Sequence, residues 1–352
     1  MEKRDFIGMF DVLKGILMLM VIFAHHLHMV DMMASSSQVH AAAQALLGYQ
    51  AAPIALFFII TGYDFHPARS LRTYVKRQAK LLLIPYAVSV LAAALLSLAA
   101  GAVMGDFRWQ RATVVIAGGL YGCMRNTEIF GVSAASVIAL WFLPALFFSG
   151  VFMQILWKIG NGRARALVLW LLAAAAAAAP SVDRLQVPWF FIQSCASLGF
   201  LEVGRLFKKY RLLYKPFPLL FYVGAVLLAL WSMGFSQSNV GDNVYQFWLL
   251  DYGAGILGAI VLLKLYMASK IAESESLFAG FLEYFGRYSL YVLCLHGVEM
   301  LAFPWYEAVD LSGLTGLGAA GAGILLYGVR VLAVWGCCGA VNRVMQRRRF
   351  RR

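Results

Sequence analysis

The sequence predicts an all-α polytopic membrane protein with about ten transmembrane helices and both termini cytoplasmic. Three observations carry this. Of the 352 residues, 62% are apolar and only 13% are charged, whereas soluble domains carry about 45–50% and about 25% respectively. The apolar residues form runs near the length of about 20 residues that a helix needs to cross a bilayer. Basic residues cluster in the short segments between those runs, as topology signals do. The same composition excludes a disordered, collagenous or coiled-coil chain. A net charge of +13 would suggest nucleic acid in a soluble protein; here it marks the cytoplasmic face, and the expected partner is the lipid bilayer, with no nucleic acid.

The expected spans lie near 10–30, 44–64, 81–103, 138–157, 166–180, 187–205, 216–235, 247–268, 286–303 and 315–341. The first run is too long for a signal peptide and no small-residue cleavage site follows it, so it reads as the first spanning helix. The 166–180 run is short, and its stretch from Ala173 to Ala179 permits close helix packing. The apolar stretch 112–123 is too short to span. It is read as an interfacial or re-entrant segment inside an extracytoplasmic loop covering 104–137.

Charge distribution selects ten spans over eleven. With Lys3 and Arg4 inside, the inner segments hold 24 of the 30 basic residues. Arg108, Arg111, Arg125 and Arg184 fall outside, while Lys14 and Arg330 fall within spans. Making 112–123 a span would put Lys158, Arg163 and Arg165 outside, against the positive-inside rule. No internal repeat or separate soluble domain is evident, so residues 1–352 read as one membrane-embedded domain ending in a basic cytoplasmic tail, 343–352. The five cysteines, Cys123, Cys195, Cys294, Cys337 and Cys338, show no metal-ligand spacing or disulfide pattern, and no metal is expected.

Ionisable groups within spans cost at least about 2.5–3.5 kcal/mol at mid-helix and mark candidate sites. The first span holds Asp11, Lys14, His25, His26 and His28. Asp11 and Lys14 are one turn apart. Lys14 and His25 are eleven positions apart, which is about 16 Å along a helix and close to the same face. One stripe thus carries a cation near the cytoplasmic edge and an imidazole toward the outer leaflet. One reading is a site with an anion-binding inner end and a general base deeper in. The other is a snorkelling lysine and histidines at the headgroup boundary. Further costly groups are Asp64, Glu202, Asp251, His296, Glu299 and Arg330. His296 and Glu299 are three residues apart and able to pair. Arg330 cannot deprotonate and requires a partner, with Asp251 and Glu299 both open. In the inner loop after the second span, Arg69 and Arg72 have a spacing suited to gripping phosphate.

These residues fall into a recognisable order. Lys14, ten intervening positions and His25 resemble the first-helix signature of acyltransferase family 3, the integral-membrane O-acyltransferases. Phe57-Phe58-Ile59-Ile60-Thr61-Gly62-Tyr63 resembles that family's aromatic segment, usually written with Ser-Gly, so Thr61 departs from it. Arg69 and Arg72 match its paired arginines, with Pro85-Tyr86 following. The segment from Trp141 to Leu146 resembles its tryptophan-led helix start, and Gly286-Arg287-Tyr288-Ser289-Leu290 followed by Leu295-His296 its late segment. The chain is similar to the stand-alone, fucose acetylase-like type.

The resemblance implies transfer of an acyl group, usually acetyl, from cytoplasmic acyl-CoA to a hydroxyl on a sugar, polysaccharide or other cell-envelope glycan, including a glycolipid acceptor. It implies a multi-pass protein of the bacterial plasma membrane. His25 would be the catalytic base or acyl carrier, assisted by Asp11 and Lys14. Arg69, Arg72 and Lys14 would bind acyl-CoA (acetyl-CoA). Trp141, His296, Glu299 and Arg330 would serve the acceptor, with Trp109, Tyr121 and Glu128 shaping its approach. The competing reading is a transporter or flippase for a glycolipid or small anion, which would use the same intramembrane charges without covalent chemistry.

Overall fold

The computed structural model describes residues 6–33, 40, 43, 51–105, 107–179, 187–236, 238–303, 305–314 and 316–349. Lys3, Arg4, Arg184, the 44–50 part of the second expected span and tail residues 350–352 lie outside the described residues, as do the side chains of Arg347, Arg348 and Arg349.

Helices dominate, and each of the ten expected stretches is helical over its described core. They are α1 (Phe6–Met33), α2 (Ala51–Tyr63), α3 (Leu71–Val103), α5 (Phe142–Leu156), α6 (Gly162–Ala178), α7 (Phe191–Lys209), α8 (Leu219–Phe235), α9 (Leu249–Ser269), α11 (Ser289–Ala302) and α12 (Gly316–Arg349). Among the described residues, six segments are long and apolar enough to cross a membrane: Met9–Met33, Leu71–Val103, Ile138–Leu156, Pro188–Lys209, Leu249–Ser269 and Gly318–Arg343. Helices α2, α8 and α11 are apolar but shorter. The alanine-rich α6 has 17 residues, about 25 Å of helix.

Two further helices are α4 (Trp109–Tyr121) and α10 (Leu277–Arg287), and a single helical turn covers Trp305–Ala308. The 104–137 region is therefore structured rather than a plain loop: α4 packs along α3, and a short antiparallel hairpin follows, β1 (Thr127–Ile129) with β2 (Val132–Ala134). Two changes of sequence character explain α3. Its first two turns, Leu71–Gln78, are polar and capped by Ser70, whose hydroxyl accepts from Thr73 N. A π-helical turn, Ala79–Leu83, then precedes the apolar stretch with Pro85 in its first turn. Proline cannot donate a backbone hydrogen bond, and the wider turn accommodates that gap.

The surface is inverted relative to a soluble protein. Leu219, Leu220, Leu227 and Leu230 of α8, and Ile324, Leu325 and Leu332 of α12, are exposed, whereas Arg330, Asp251 and Glu202 are buried. Lipid is as apolar as leucine, so helices there associate through close packing and interhelical polar contacts. Glycines supply the closeness. A Cβ at Gly15 would overlap the Leu282 carbonyl, and one at Gly286 the Asp11 carbonyl, so α1 and α10 cross with their backbones in contact. Gly62 against Leu201 and Gly204 against Ile59 do the same for α2 and α7. Two glycines of the sequence motifs, Gly62 and Gly286, thus set helix crossings.

Three buried charged groups are satisfied locally. Asp251 receives bonds from Ser232 Oγ (3.4 Å), Ser236 Oγ (2.7 Å) and Phe247 N (2.7 Å). It is not the partner of Arg330. Lys264 donates to the Leu212, Leu213 and Lys215 carbonyls at 2.6, 2.9 and 2.7 Å, closing the turn after α7. Glu202 pairs with Arg205 one turn on, at 2.5 and 2.6 Å.

Candidate functional site

A cavity of about 1430 Å³ opens along α1. Lys14 and Thr61 line one end, His25, Phe57 and Leu293 its middle, and Arg125, Asn239 and Asp242 the other. The two ends are opposite faces of the bundle. Gln193, near the start of α7, donates to the Gly241 carbonyl (2.9 Å), whereas Leu201 and Gly204, further along α7, pack on α2 near Tyr63. Tyr63 in turn meets Phe10 of α1, with ring centroids 5.4 Å apart. His25 lies between these ends, eleven residues beyond Lys14.

Helix α1 is fixed from three directions. Glycine packing holds its first half on α10. The Tyr266 hydroxyl of α9 donates to the Met9 carbonyl. Tyr327 of α12 donates to the Leu19 carbonyl at 3.0 Å, and its ring lies 5.7 Å from that of His26.

Behind His25 runs a chain of hydrogen bonds. His25 Nδ1 stands 3.1 Å from His296 Nε2. His296 Nδ1 stands 3.2 Å from Glu299 Oε2. Arg330 grips the same carboxylate with both arms of its fork, Nε to Oε1 at 2.9 Å and Nη2 to Oε2 at 3.0 Å. Its remaining arm, Nη1, donates to His26 Nδ1 at 3.4 Å. Trp305 lies 5.3 Å from the guanidinium, and the Met29 and Met300 sulfurs pack against it. His296 and Arg330 are wholly buried.

This chain sets the ring protons. A carboxylate only accepts, so His296 donates to Glu299 through Nδ1 and keeps a lone pair on Nε2. That lone pair accepts from His25 Nδ1–H. His25 is left with its lone pair on Nε2, the form a general base needs. His26, accepting from Arg330 at Nδ1, carries its proton on Nε2. The arrangement pairs Arg330 with Glu299 rather than Asp251 and gives His26 a place that sequence alone did not.

The other expected site residues separate into groups. Trp141 does line the cavity, against Phe142 and Phe190. His296, Glu299 and Arg330, expected at the acceptor, line no part of it and stand behind the His25 imidazole instead. They come together because α1, α11 and α12 meet there, which residue spacing cannot reveal. Lys14 Nζ pairs with Asp11 Oδ1 at 3.3 Å, and Arg287 Nε approaches Asp11 Oδ2 at 3.8 Å. Arg69 and Arg72 lie at this end but off the cavity wall, exposed on the loop and first turn leading into α3. The loop is pinned by buried Gln154 of α5, which accepts from Ala68 N (3.0 Å) and donates to the His66 carbonyl (3.1 Å). Trp109, Tyr121 and Glu128 line no part of the cavity; the neighbouring Met124, Arg125 and Asn126 do.

Sequence reasoning missed Gln154, Arg125 and Asp242. Asp242 had a readable signal in the polar run from Ser236 to Asn243 between two apolar stretches. Arg125 was legible only as an outer-loop charge.

A family model described as an acyltransferase domain matches residues 7–341, almost the whole chain. No curated protein matches the chain, and no solved structure does.

Proposed function

The chain belongs to acyltransferase family 3, and from that membership we propose that it moves an acyl group, acetyl in the simplest case, from cytoplasmic acyl-CoA to a hydroxyl of a cell-envelope sugar. One observation carries this reading: an imidazole on the wall of a cavity reaching toward both faces, with its tautomer set by a buried His–Glu–Arg chain.

Each end has a chemical task. The donor's thioester arrives at the Lys14 end, where Lys14, Arg69 and Arg72 supply positive charge for its phosphates. The acceptor hydroxyl arrives from the Asp242 end. His25 Nε2 takes the hydroxyl proton as the oxygen attacks the thioester carbonyl. The carbon–sulfur bond of the tetrahedral adduct then breaks, and the proton passes from His25 to the departing CoA sulfur. His296 holds the ring, while the Glu299 carboxylate, held in place by Arg330, stabilises the imidazolium that forms in between. Asp11 tempers Lys14 at the donor end.

The test is transfer of labelled acetyl from acetyl-CoA to glycan in membranes holding the full chain. His25→Ala is expected to accumulate normally and transfer nothing above background. Wild-type transfer by that variant would remove His25 from the chemistry. Label-independent movement of a glycolipid or anion across the bilayer, with no acylated product, would favour a carrier.

A further inference from the structure

The outer mouth of the cavity carries a polar cluster built on two loops. Asp242 accepts from Arg125 Nε (3.4 Å) and Nη2 (3.2 Å) and from Asn239 Nδ2 (3.0 Å). Asn239 Oδ1 in turn accepts from Gly241 N (2.9 Å) and Asp242 N (3.2 Å), so the carboxylate sits on a pre-formed turn. Next to Arg125 in the chain, Asn126 Oδ1 accepts from Ser136 N (2.9 Å), and the amide nitrogen of Asn126 has no protein partner among the described residues. Gly241 lies against the Trp141 indole, where a Cβ would come within 3.2 Å of Nε1. All of these residues line the cavity.

Charge identifies what such a mouth accepts. Among the described residues the cavity wall has three charged side chains other than histidine: Lys14, Arg125 and Asp242. Lys14 belongs to the opposite end. At the outer mouth Arg125 already engages the Asp242 carboxylate, so an anionic group there would meet that negative charge at close range. A hydroxyl faces no such cost. A carboxylate offers about four lone-pair sites, of which the bonds above use three, and Asn126 offers a donor; a hydroxyl both donates and accepts.

We propose that this mouth is the acceptor subsite, and that Asp242 selects a neutral polyhydroxyl acceptor over an anionic one, with Arg125 and Asn239 as the residues that position its carboxylate. The proposal rests on the acyl-transfer reading above and goes beyond it by naming the charge class of the acceptor and the residues that read it.

The experiment uses membranes with the full chain, labelled acetyl-CoA, a panel of neutral methyl hexosides, and methyl glucuronide as the anionic counterpart. The wild type is expected to acylate at least one neutral hexoside and not the glucuronide. In Asp242→Asn the amide keeps the shape and can still accept from Arg125, but the mouth loses the negative charge that repels an anion. That variant is expected to raise KM for the neutral hexoside about ten-fold or more, with kcat and the acetyl-CoA KM within two-fold, and to gain use of the glucuronide. Misfolding cannot produce the gain. Unchanged hexoside KM in Asp242→Asn, or equal use of both sugars by the wild type, overturns the assignment. So does His25-dependent thioester cleavage with no hexoside acylated, which leaves the acyl-transfer reading standing. Absence of any His25-dependent thioester loss overturns both.

Discussion

Glu299→Gln inverts a proton pattern with almost no change of shape. Glu299 accepts three hydrogen bonds, two from Arg330 at 2.9 and 3.0 Å and one from His296 at 3.2 Å. A glutamine has one acceptor oxygen and one NH2. Arg330 only donates, so it claims the oxygen and turns the NH2 toward His296 Nδ1. His296 must then carry its proton on Nε2 and donate to His25 Nδ1. That forces the His25 proton onto Nε2, so the proposed base becomes a donor. General-base assistance is worth about 10²–10⁴-fold, or about 3–5 kcal/mol of barrier at about 1.36 kcal/mol per ten-fold. Leaving the buried Arg330 without its counter-charge costs folding stability of similar size, about 3–5 kcal/mol. The assay is initial rate of acetyl transfer per mole of protein in the membrane, with thermal inactivation measured alongside. Turnover is expected to fall at least a hundred-fold with the acyl-CoA KM little changed, and Glu299→Asp, which keeps the charge, to fall less. Turnover within three-fold of wild type in Glu299→Gln would refute the relay.

The remaining expectations concern the donor end and the scaffold. Arg69→Ala and Arg72→Ala should each raise the acyl-CoA KM several-fold with little effect on kcat, and donor kinetics identical to wild type would remove both from phosphate binding. Gln154→Leu should raise the same KM more weakly, because the loop carrying Arg69 loses two hydrogen bonds to the buried amide; an unaltered KM argues that the loop is held by other means. Gly286→Ala places a methyl on the Asp11 carbonyl, an overpacking that costs about 1–3 kcal/mol or more. It should lower the inactivation temperature, whereas Gly280→Ala, where a Cβ meets nothing, should not; equal stability of the two would contradict the close α1–α10 crossing.

Much of this protein was legible before any tertiary contact was known. Span-length apolar runs declare themselves because a membrane helix satisfies its backbone internally, so length and hydropathy suffice to find it. Helical periodicity placed Lys14 and His25 on one stripe and the family resemblance pointed to Trp141; all three line the cavity. What composition could not decide was partnership. Arg330 had two candidate carboxylates, and its choice of Glu299 over Asp251 depends on α11 and α12 meeting behind α1, while Asp251 is satisfied by two serines and a backbone amide. His296 and Glu299, expected as acceptor contacts, stand behind the His25 imidazole for the same reason. The Arg125–Asp242 pair joins positions 117 residues apart. Local pattern governs what each segment becomes, because hydrogen bonding and burial in lipid act along one helix. Which side chains meet is settled by how helices cross, and that depends on backbone contacts such as Gly15 on Leu282 and Gly286 on Asp11, which only the folded bundle contains.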